Sequence, residues 1–383
     1  MGDMRTCQRV LDHIEAADGR LTDVMPSLAA ALGHARETQV RLGGLERASH
    51  VVLVVVDGLG WHQLRARSAH ARLALKPALE TGLRLVTCVP STTAAALSSL
   101  TCAALPGRTG MLGYEVAQPE YDRVVQLLAM KERGTGRVIE PSGWNRVPTI
   151  FETLARKDSS TCAIVPGRFV GSGLTSCALK GATLLTAETL RDRVEAAIKA
   201  ARSYDLTYLY FEFLDHCGHA HGWDSPQWLD TLEAIDRAVD EVRRKVGDDT
   251  LVALTADHGM VNPDSSKILD LADCPELTYR YLAGEPRALH VHLRAGADVE
   301  EESRRWAHVV GDRADVVAGA DLVRLLGEVA DDRRGWVGDL WVFSRERALV
   351  VDRRVHTAGA RSLKGVHGSL TPEELDVPFL VVS

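Results

Sequence analysis

The sequence predicts an α/β fold, a doubly wound and mainly parallel sheet flanked by helices. Four apolar runs of strand length, HVVLVVV (50–56), RLVTCV (84–89), LTYLYFEFL (206–214) and LVALTA (251–256), are almost continuous in Val, Leu and Tyr. Strands covered on both faces have that composition. Helical patterns alternate with them, which is the order that builds a parallel sheet. Each run also leads into a polar, chemically capable residue, and open α/β sheets gather ligands at the carboxyl ends of their strands.

In chain order, the first run delivers Asp57 and the second leads through Pro90 to Ser91-Thr92-Thr93, followed by a small-residue helical stretch. A helix is expected over 186–203, where Leu190, Val194, Ala197 and Ile198 share a face. The third run reaches Asp215, with His216, His219 and His221 close behind. Ser225-Pro226 reads as a helix cap with proline in the first turn, opening a helix that stripes Leu229, Leu232, Ile235, Val239 and Val242. The fourth run ends at Asp257-His258. The rhythm then breaks: RALHVHL (287–293) alternates, a charged helix spans about 300–310, and a hairpin is expected between Gly338 and Asp352. We read 263–354 as a small α+β cap inserted into a core made of 1–262 and 355–383. That core resumes with His367 in GVHGS and closes with the strand VPFLVVS.

Composition narrows the function. Across 383 residues, 45 Lys and Arg face 52 Asp and Glu, a net charge of −7. This mild acidity argues against a nucleic-acid polymer as partner. It leaves a small phosphorylated substrate open, because a metal ion would be the largest local charge in such a site. The first twenty residues contain no continuous apolar segment of the secretory kind, and no stretch approaches the roughly 18 apolar residues of a membrane span. The seven cysteines are scattered with no C-x-x-C pair. Reduced thiols, a cytoplasmic location and no membrane partner are the expectation.

The strand-end residues form a ligand set. Asp57, Asp215 and Asp257, with three imidazoles that include His258 and His367, suit zinc first and manganese or iron as alternatives. Two divalent ions about 4 Å apart would clamp the attacking and leaving oxygens of an in-line displacement. Taken singly, each residue has a plainer explanation. A strand-end Asp caps helices, DHCGHAHG leaves His216, His219 and His221 as rivals, and His367 suits a glycine-flanked turn. A hydroxyl among Ser91, Thr92 and Thr93 would lie at a helix N-terminus, which stabilises anions, and metal coordination would activate it. Simple capping is the alternative, and chemistry alone leaves the three hydroxyls open.

The segments VVVDGLG, VPSTTAAALSSLTCAALPGRTGMLGY, LDHCGHAHG, TADHGM and GVHGSLTPEELDVPFLV, in this order from Val54 to Val381, resemble the alkaline phosphatase superfamily. Within it they resemble the type I phosphodiesterase/nucleotide pyrophosphatase family. The resemblance implies an alkaline phosphatase-like core with Thr93 as nucleophile, and it selects His219 over its neighbours. It assigns Asp57, Thr93, Asp257 and His258 to one zinc, and Asp215, His219 and His367 to the other. The implied reaction is hydrolysis of a phosphodiester or pyrophosphate bond, in a small phosphorylated metabolite or nucleotide, through a covalent phospho-threonine. This chain departs from the pattern in three places. Tyr114 stands where an asparagine is common, Thr109 replaces a frequent histidine, and Ala94 replaces the aromatic after the nucleophile. Tyr114 is accordingly the expected substrate-binding residue, through its hydroxyl or its ring. A phosphomonoesterase or phosphonate hydrolase is the alternative on this scaffold. A sulfatase fits less well, since the arginine of its C-x-P-x-R motif is replaced by Thr92 after Cys88, and a non-catalytic copy would not retain the full ligand set.

Overall fold

The computed structural model describes residues 2–34, 42–43 and 45–382. In chain order its main strands are β1 Gly19–Arg20, β2 His50–Val56, β3 Leu83–Val86, β4 Thr161–Val165, β5 Thr183–Thr186, β6 Leu206–Phe211 and β7 Thr250–Thr255. There follow β8 Tyr281–Glu285, β9 Ala288–His292, β10 Ala314–Ala318, β11 Leu340–Ser344 and β12 Asp376–Val381. The helices used below are α1 Gly2–Glu15, α2 Thr93–Cys102, α3 Gly173–Ala178, α4 Leu190–Ala200, α5 Phe213–His221, α6 Pro226–Lys245 and α7 Val299–Val310.

The central sheet has eight strands in the order β1-β3-β12-β7-β2-β6-β4-β5. From β7 across β2, β6 and β4 to β5 every pairing is parallel. The closing strand β12 runs antiparallel to both neighbours, β7 and β3. The sheet is therefore mixed but mostly parallel and flanked by helices, as the alternating pattern requires. Its centre is the valine run of β2, where Val51 to Val56 have no exposed surface. The helix α6 buries Trp228, Leu232, Ile235, Val239 and Val242, and Ser225 accepts the Trp228 N–H as its cap, with proline in the first turn. Thr189 and Asp192 form the capping box of α4, which trims the expected 186–203 helix at both ends.

Two expectations need correction, and one sheet was not anticipated. The strand β6 stops at Phe211, because Glu212 turns aside into a buried ion pair with Arg193, so Asp215 lies on the helix α5 instead of at a strand end. No hairpin forms between Gly338 and Asp352. Both edges of β11 are occupied, by β9 and β10, and Leu349–Val351 pairs in parallel with Ile268–Asp270 instead. A small three-stranded antiparallel sheet (Glu115–Gln118, Arg123–Gln126, Lys131–Glu132) follows Tyr114; its strands are too short to show a period in sequence.

Within 263–354, the strands β8, β9, β11 and β10 form a four-stranded antiparallel sheet, with α7 packed on it. The N-terminal α1 also docks there: Thr6 donates to Asp315 at 2.7 Å and Arg9 at 3.1 Å. All seven cysteines are free thiols, and among the described residues no helix is long and apolar enough to cross a membrane.

A second buried ion pair ties this sheet to the last core segment. Arg287, in the β8–β9 turn, donates from Nε to Glu374 Oε1 at 3.0 Å and from Nη2 to Oε2. Glu374 also accepts the Ser369 N–H at 3.0 Å and the Thr371 hydroxyl at 2.6 Å. Removing one partner of such a pair strands a charge in low dielectric, whereas replacing both with apolar groups removes the desolvation cost as well. Glu374→Ala is therefore expected to cost about 3–5 kcal/mol in urea unfolding, and Arg287→Met/Glu374→Leu much less. Equal losses in the single and double variants would show that the pair is not the source of the stability.

Candidate metal centre

The strand directions explain why residues far apart in sequence meet. Asp57 follows β2 and its N–H donates to the Phe211 carbonyl at the end of β6. Asp257 follows β7, the other neighbour of β2. Because β12 runs against them, the segment preceding it, with His367, arrives at the same edge. Gly58 makes the turn after Asp57 possible. Its φ is +75°, and a Cβ there would lie 3.1 Å from the Asp215 Cβ, so backbone conformation and close approach both demand glycine.

Asp215 and His219 stand four residues apart on α5, with His219 Nε2 3.2 Å from Asp215 Oδ2. His367 Nε2 lies 3.8 Å from Asp215 Oδ1. His258 Nε2 lies 3.4 Å from Asp57 Oδ1 and 3.5 Å from Asp257 Oδ2. Two groups of ligand atoms therefore cluster within 4.8 Å, Asp215/His219/His367 and Asp57/Asp215/His258, sharing Asp215. Asp257 borders the second group. His216 and His221 are exposed, while His219 faces the cluster.

Several observations fit this donor set to divalent cations. Asp57 Oδ1, Asp215 Oδ1 and Asp257 Oδ2 are buried without a hydrogen-bond partner, an arrangement that is costly unless a cation supplies the missing interaction. Each imidazole is held through Nδ1: His219 to the Gly365 carbonyl at 2.8 Å, His258 to Gly259 at 3.0 Å and His367 to Ser91 at 3.1 Å. A carbonyl only accepts, so Nδ1 carries the proton and the Nε2 lone pair is left for a ligand role. On the far side of Asp57, the Tyr210 hydroxyl donates to Oδ2.

The electrostatics agree. Burial, then the charges of Asp257 and Asp215, push the Asp57 carboxyl well above its ordinary range, and burial likewise raises Asp257. Burial works against ionised Asp215 too, but His219, then His367 and His258, hold its carboxyl below the usual range. Burial opposes the His219 cation, yet Asp215 lifts that imidazole to about 9. Burial and then His258 push His367 well down.

The three hydroxyls that sequence left open have different partners. Ser91 donates to the Ser369 carbonyl at 2.8 Å and Thr92 to Glu285 Oε2 at 2.8 Å. Thr93 Oγ1 lies 3.1 Å from His258 Nε2, facing the cluster. No side chain caps α2, although Thr92 occupies the cap position. Cys88 is buried, which pushes its thiol up to about 12. Thr109 is buried and bonds to the Pro106 carbonyl, so it does not substitute for a site histidine.

A cleft of about 600 Å³ opens over the cluster, lined at one end by Asp57, Thr93, Asp215, His219 and His367. Tyr114 sits on its rim, 37% exposed, its hydroxyl accepting from Gln126 at 2.8 Å. Sequence reasoning missed Glu285. It lines the cleft, holds Thr92, and packs so tightly on Gly368 that a Cβ there would lie 2.9 Å from its Cδ. Burial raises its carboxyl to about 8. The available signal was GEPR (284–287), charged residues in the turn of an otherwise apolar hairpin.

Three carboxylates facing one another should weaken the metal-free protein. Asp57→Asn is expected to raise its stability by about 1–2 kcal/mol, as when strain at a functional site is relieved, and to diminish the rise in Tm on adding zinc. Thermal denaturation with and without chelator measures both. A destabilised metal-free variant would mean that the cluster is not frustrated.

A profile of the family described as type I phosphodiesterase / nucleotide pyrophosphatase matches residues 51–370. Among curated proteins, the catalytic subunit of mouse GPI ethanolamine phosphate transferase 3 is 34% identical over 58 residues, 15% of this chain and 5% of the transferase. Phosphopentomutase of Rhizobium etli is 40% identical over 72 residues, 19% of this chain and 18% of that one. This chain thus aligns with only a small part of either relative. Among solved structures, phosphonoacetate hydrolase of Sinorhizobium meliloti, in complex with phosphonoformate, superposes with a TM-score of 0.68 at 18% identity, covering 87% of this chain and 90% of that one. Murine ectonucleotide pyrophosphatase / phosphodiesterase 5, an inactive form with AMP, gives 0.66 at 16% identity, covering 86% and 87%. At such identities the likeness speaks for the fold. The profile match covers most of the sequence, and with it the chain belongs to the type I phosphodiesterase/nucleotide pyrophosphatase family, metal-dependent hydrolases of the alkaline phosphatase superfamily.

Proposed function

We propose that this protein hydrolyses a phosphodiester or pyrophosphate bond of a small phosphorylated metabolite or nucleotide, with Thr93 as nucleophile and two divalent metals, zinc foremost. The observation that carries this reading is the set of three buried, unpartnered aspartate oxygens meeting three Nε2 lone pairs beside one hydroxyl. Asp57, Asp257, His258 and Thr93 would hold one ion, and Asp215, His219 and His367 the other. When bound, the ions supply Lewis-acid stabilisation of the attacking and leaving oxygens.

The chain's own residues account for the remainder. Thr93 begins α2, where free N–H groups and the helix dipole favour the anionic phosphoryl group. Its Oγ attacks phosphorus in line, the bond to the leaving oxygen breaks, and a phospho-threonine ester results. Water then attacks the same phosphorus and restores the Thr93 hydroxyl. Glu285 and the Nδ1 hydrogen bonds keep the Thr92-Thr93 segment and the three imidazoles from reorienting between the steps. Tyr114, on the rim, is positioned to meet the substrate. Residues 263–354 act as a cap that contributes Glu285 and Arg287 to the site's surroundings.

Purified protein is expected to hold about two transition-metal ions per chain by elemental analysis, and chelation should abolish turnover reversibly. Activity in metal-free protein would end the proposal. Thr93→Ala should lower kcat by at least about a thousandfold, the scale of losing a covalent nucleophile, with the fold intact by circular dichroism. A comparable loss in Thr92→Ala, with Thr93→Ala active, would move the nucleophile. Bis-p-nitrophenyl phosphate should be preferred over p-nitrophenyl phosphate, and the reverse would favour the monoesterase alternative. Glu285→Gln keeps an acceptor for Thr92 and should stay near wild type. Glu285→Ala should lower kcat about tenfold with little change in KM, as misplacement of a reacting group does.

A further inference from the structure

We infer that the organic group of the substrate is apolar, a hydrocarbon or aryl group lodged in the cleft beside Thr93. This rests on the phosphodiester reading above and specifies its substrate. The cleft has a polar floor at the aspartate–histidine cluster, and its walls are of a different character. Ala94 and Leu97 of α2 line it one and four residues after the nucleophile, facing Leu174 of α3, Leu128, Phe169 and Leu363. Of these, Leu128, Phe169, Leu174 and Leu363 are only half buried, so they keep apolar surface that a ligand would remove from water.

Several polar groups along those walls are already engaged. Arg168 donates to Glu212 at 2.8 Å and lies 4.8 Å over the Phe169 ring. Arg287 is bound to Glu374. Ser172 bonds to Thr175 at 3.1 Å while capping α3, and Thr92 is committed to Glu285. The buried Tyr208 hydroxyl and Glu285 Oε1 are unpartnered, and the Tyr114 hydroxyl on the rim accepts from Gln126, few groups against the many that a base and ribose would present. A polar group buried without its hydrogen bonds is penalised, while a hydrocarbon is not. At the position after the nucleophile, the buried Ala94 adds a small apolar side chain to the lining. The cleft is continuous with the cluster and Thr93, so a chain or ring entering it would remain attached to phosphorus in reach of the Thr93 oxygen.

The test uses the metal-loaded protein with p-nitrophenyl alkyl phosphates from methyl to octyl, p-nitrophenyl thymidine 5′-phosphate, and phosphatidylcholine vesicles. kcat/KM should rise with chain length, by up to about fourfold for each methylene buried, and the thymidine ester should do no better than the methyl ester. Leu174→Glu and Leu128→Glu should each pull the octyl-to-methyl ratio back towards one, and agreement between the two guards against a folding defect in either. Turnover of vesicles together with the octyl ester would identify a lipid source. Turnover of the octyl ester alone would identify a soluble alkyl or aryl ester. A flat series, or the thymidine ester preferred over the octyl, would overturn the inference while leaving the phosphodiesterase reading intact. Failure on every ester with metal bound would instead remove that reading.

Discussion

Asp57, Asp215 and Asp257 are buried together, each with an oxygen that nothing in the protein satisfies. Like charges this close in a low-dielectric setting repel strongly, and no fold would gather them for stability alone. The sheet is arranged around that conflict. Two parallel strands flank β2, so their downstream residues converge on Asp57, and an antiparallel closing strand brings His367 to the same edge. A cation would resolve the repulsion, so the proposed affinity for metal and the expected weakening without it have a common origin.

The surroundings restrict how that conflict can be relieved. Imidazoles anchored at Nδ1 by the Gly365, Gly259 and Ser91 carbonyls are not free to rotate away. Carbonyl partners also settle the tautomer, leaving Nε2 as the candidate ligand atom. The β8–β9 turn adds a clamp from outside the central sheet. Glu285 holds Thr92, one residue before the proposed nucleophile, and Arg287 holds Glu374, which fixes Ser369 and Thr371 in the segment after His367. A single hairpin turn thereby steadies both the Thr92-Thr93 segment and the loop of His367.

The cleft divides along the same lines. Its floor is the aspartate–histidine cluster, and its walls include Ala94 and Leu97 of α2, Leu174 of α3 and Leu128, Phe169 and Leu363. Family membership speaks for the chemistry at phosphorus, which the floor carries. What else the substrate contains depends on the walls, and these differ from the family pattern at Ala94 and Tyr114. On the proposed reading, reaction and specificity are carried by separate parts of the chain.

The sequence by itself determined the parallel core, because β2, β6 and β7 are long apolar runs whose burial follows from composition, and it pointed to the candidate ligand types because they close or follow those runs. The helix α6 was legible for the same local reason, a cap and a 3.6-residue stripe. Only the tertiary structure decided matters that depend on distant partners. The hairpin expected at 338–352 failed because β9 and β10 already occupy both edges of β11. The strand leading to Asp215 stopped at Phe211 because Arg193, nineteen residues before Glu212, claims that carboxylate. Ser91, Thr92 and Thr93 look alike in sequence. Their different hydrogen-bond partners at Ser369, Glu285 and His258 separate them, and those partners lie more than 160 residues further along the chain. Local pattern encodes which surfaces must be buried; which side chain faces which partner is settled only when the distant segments pack.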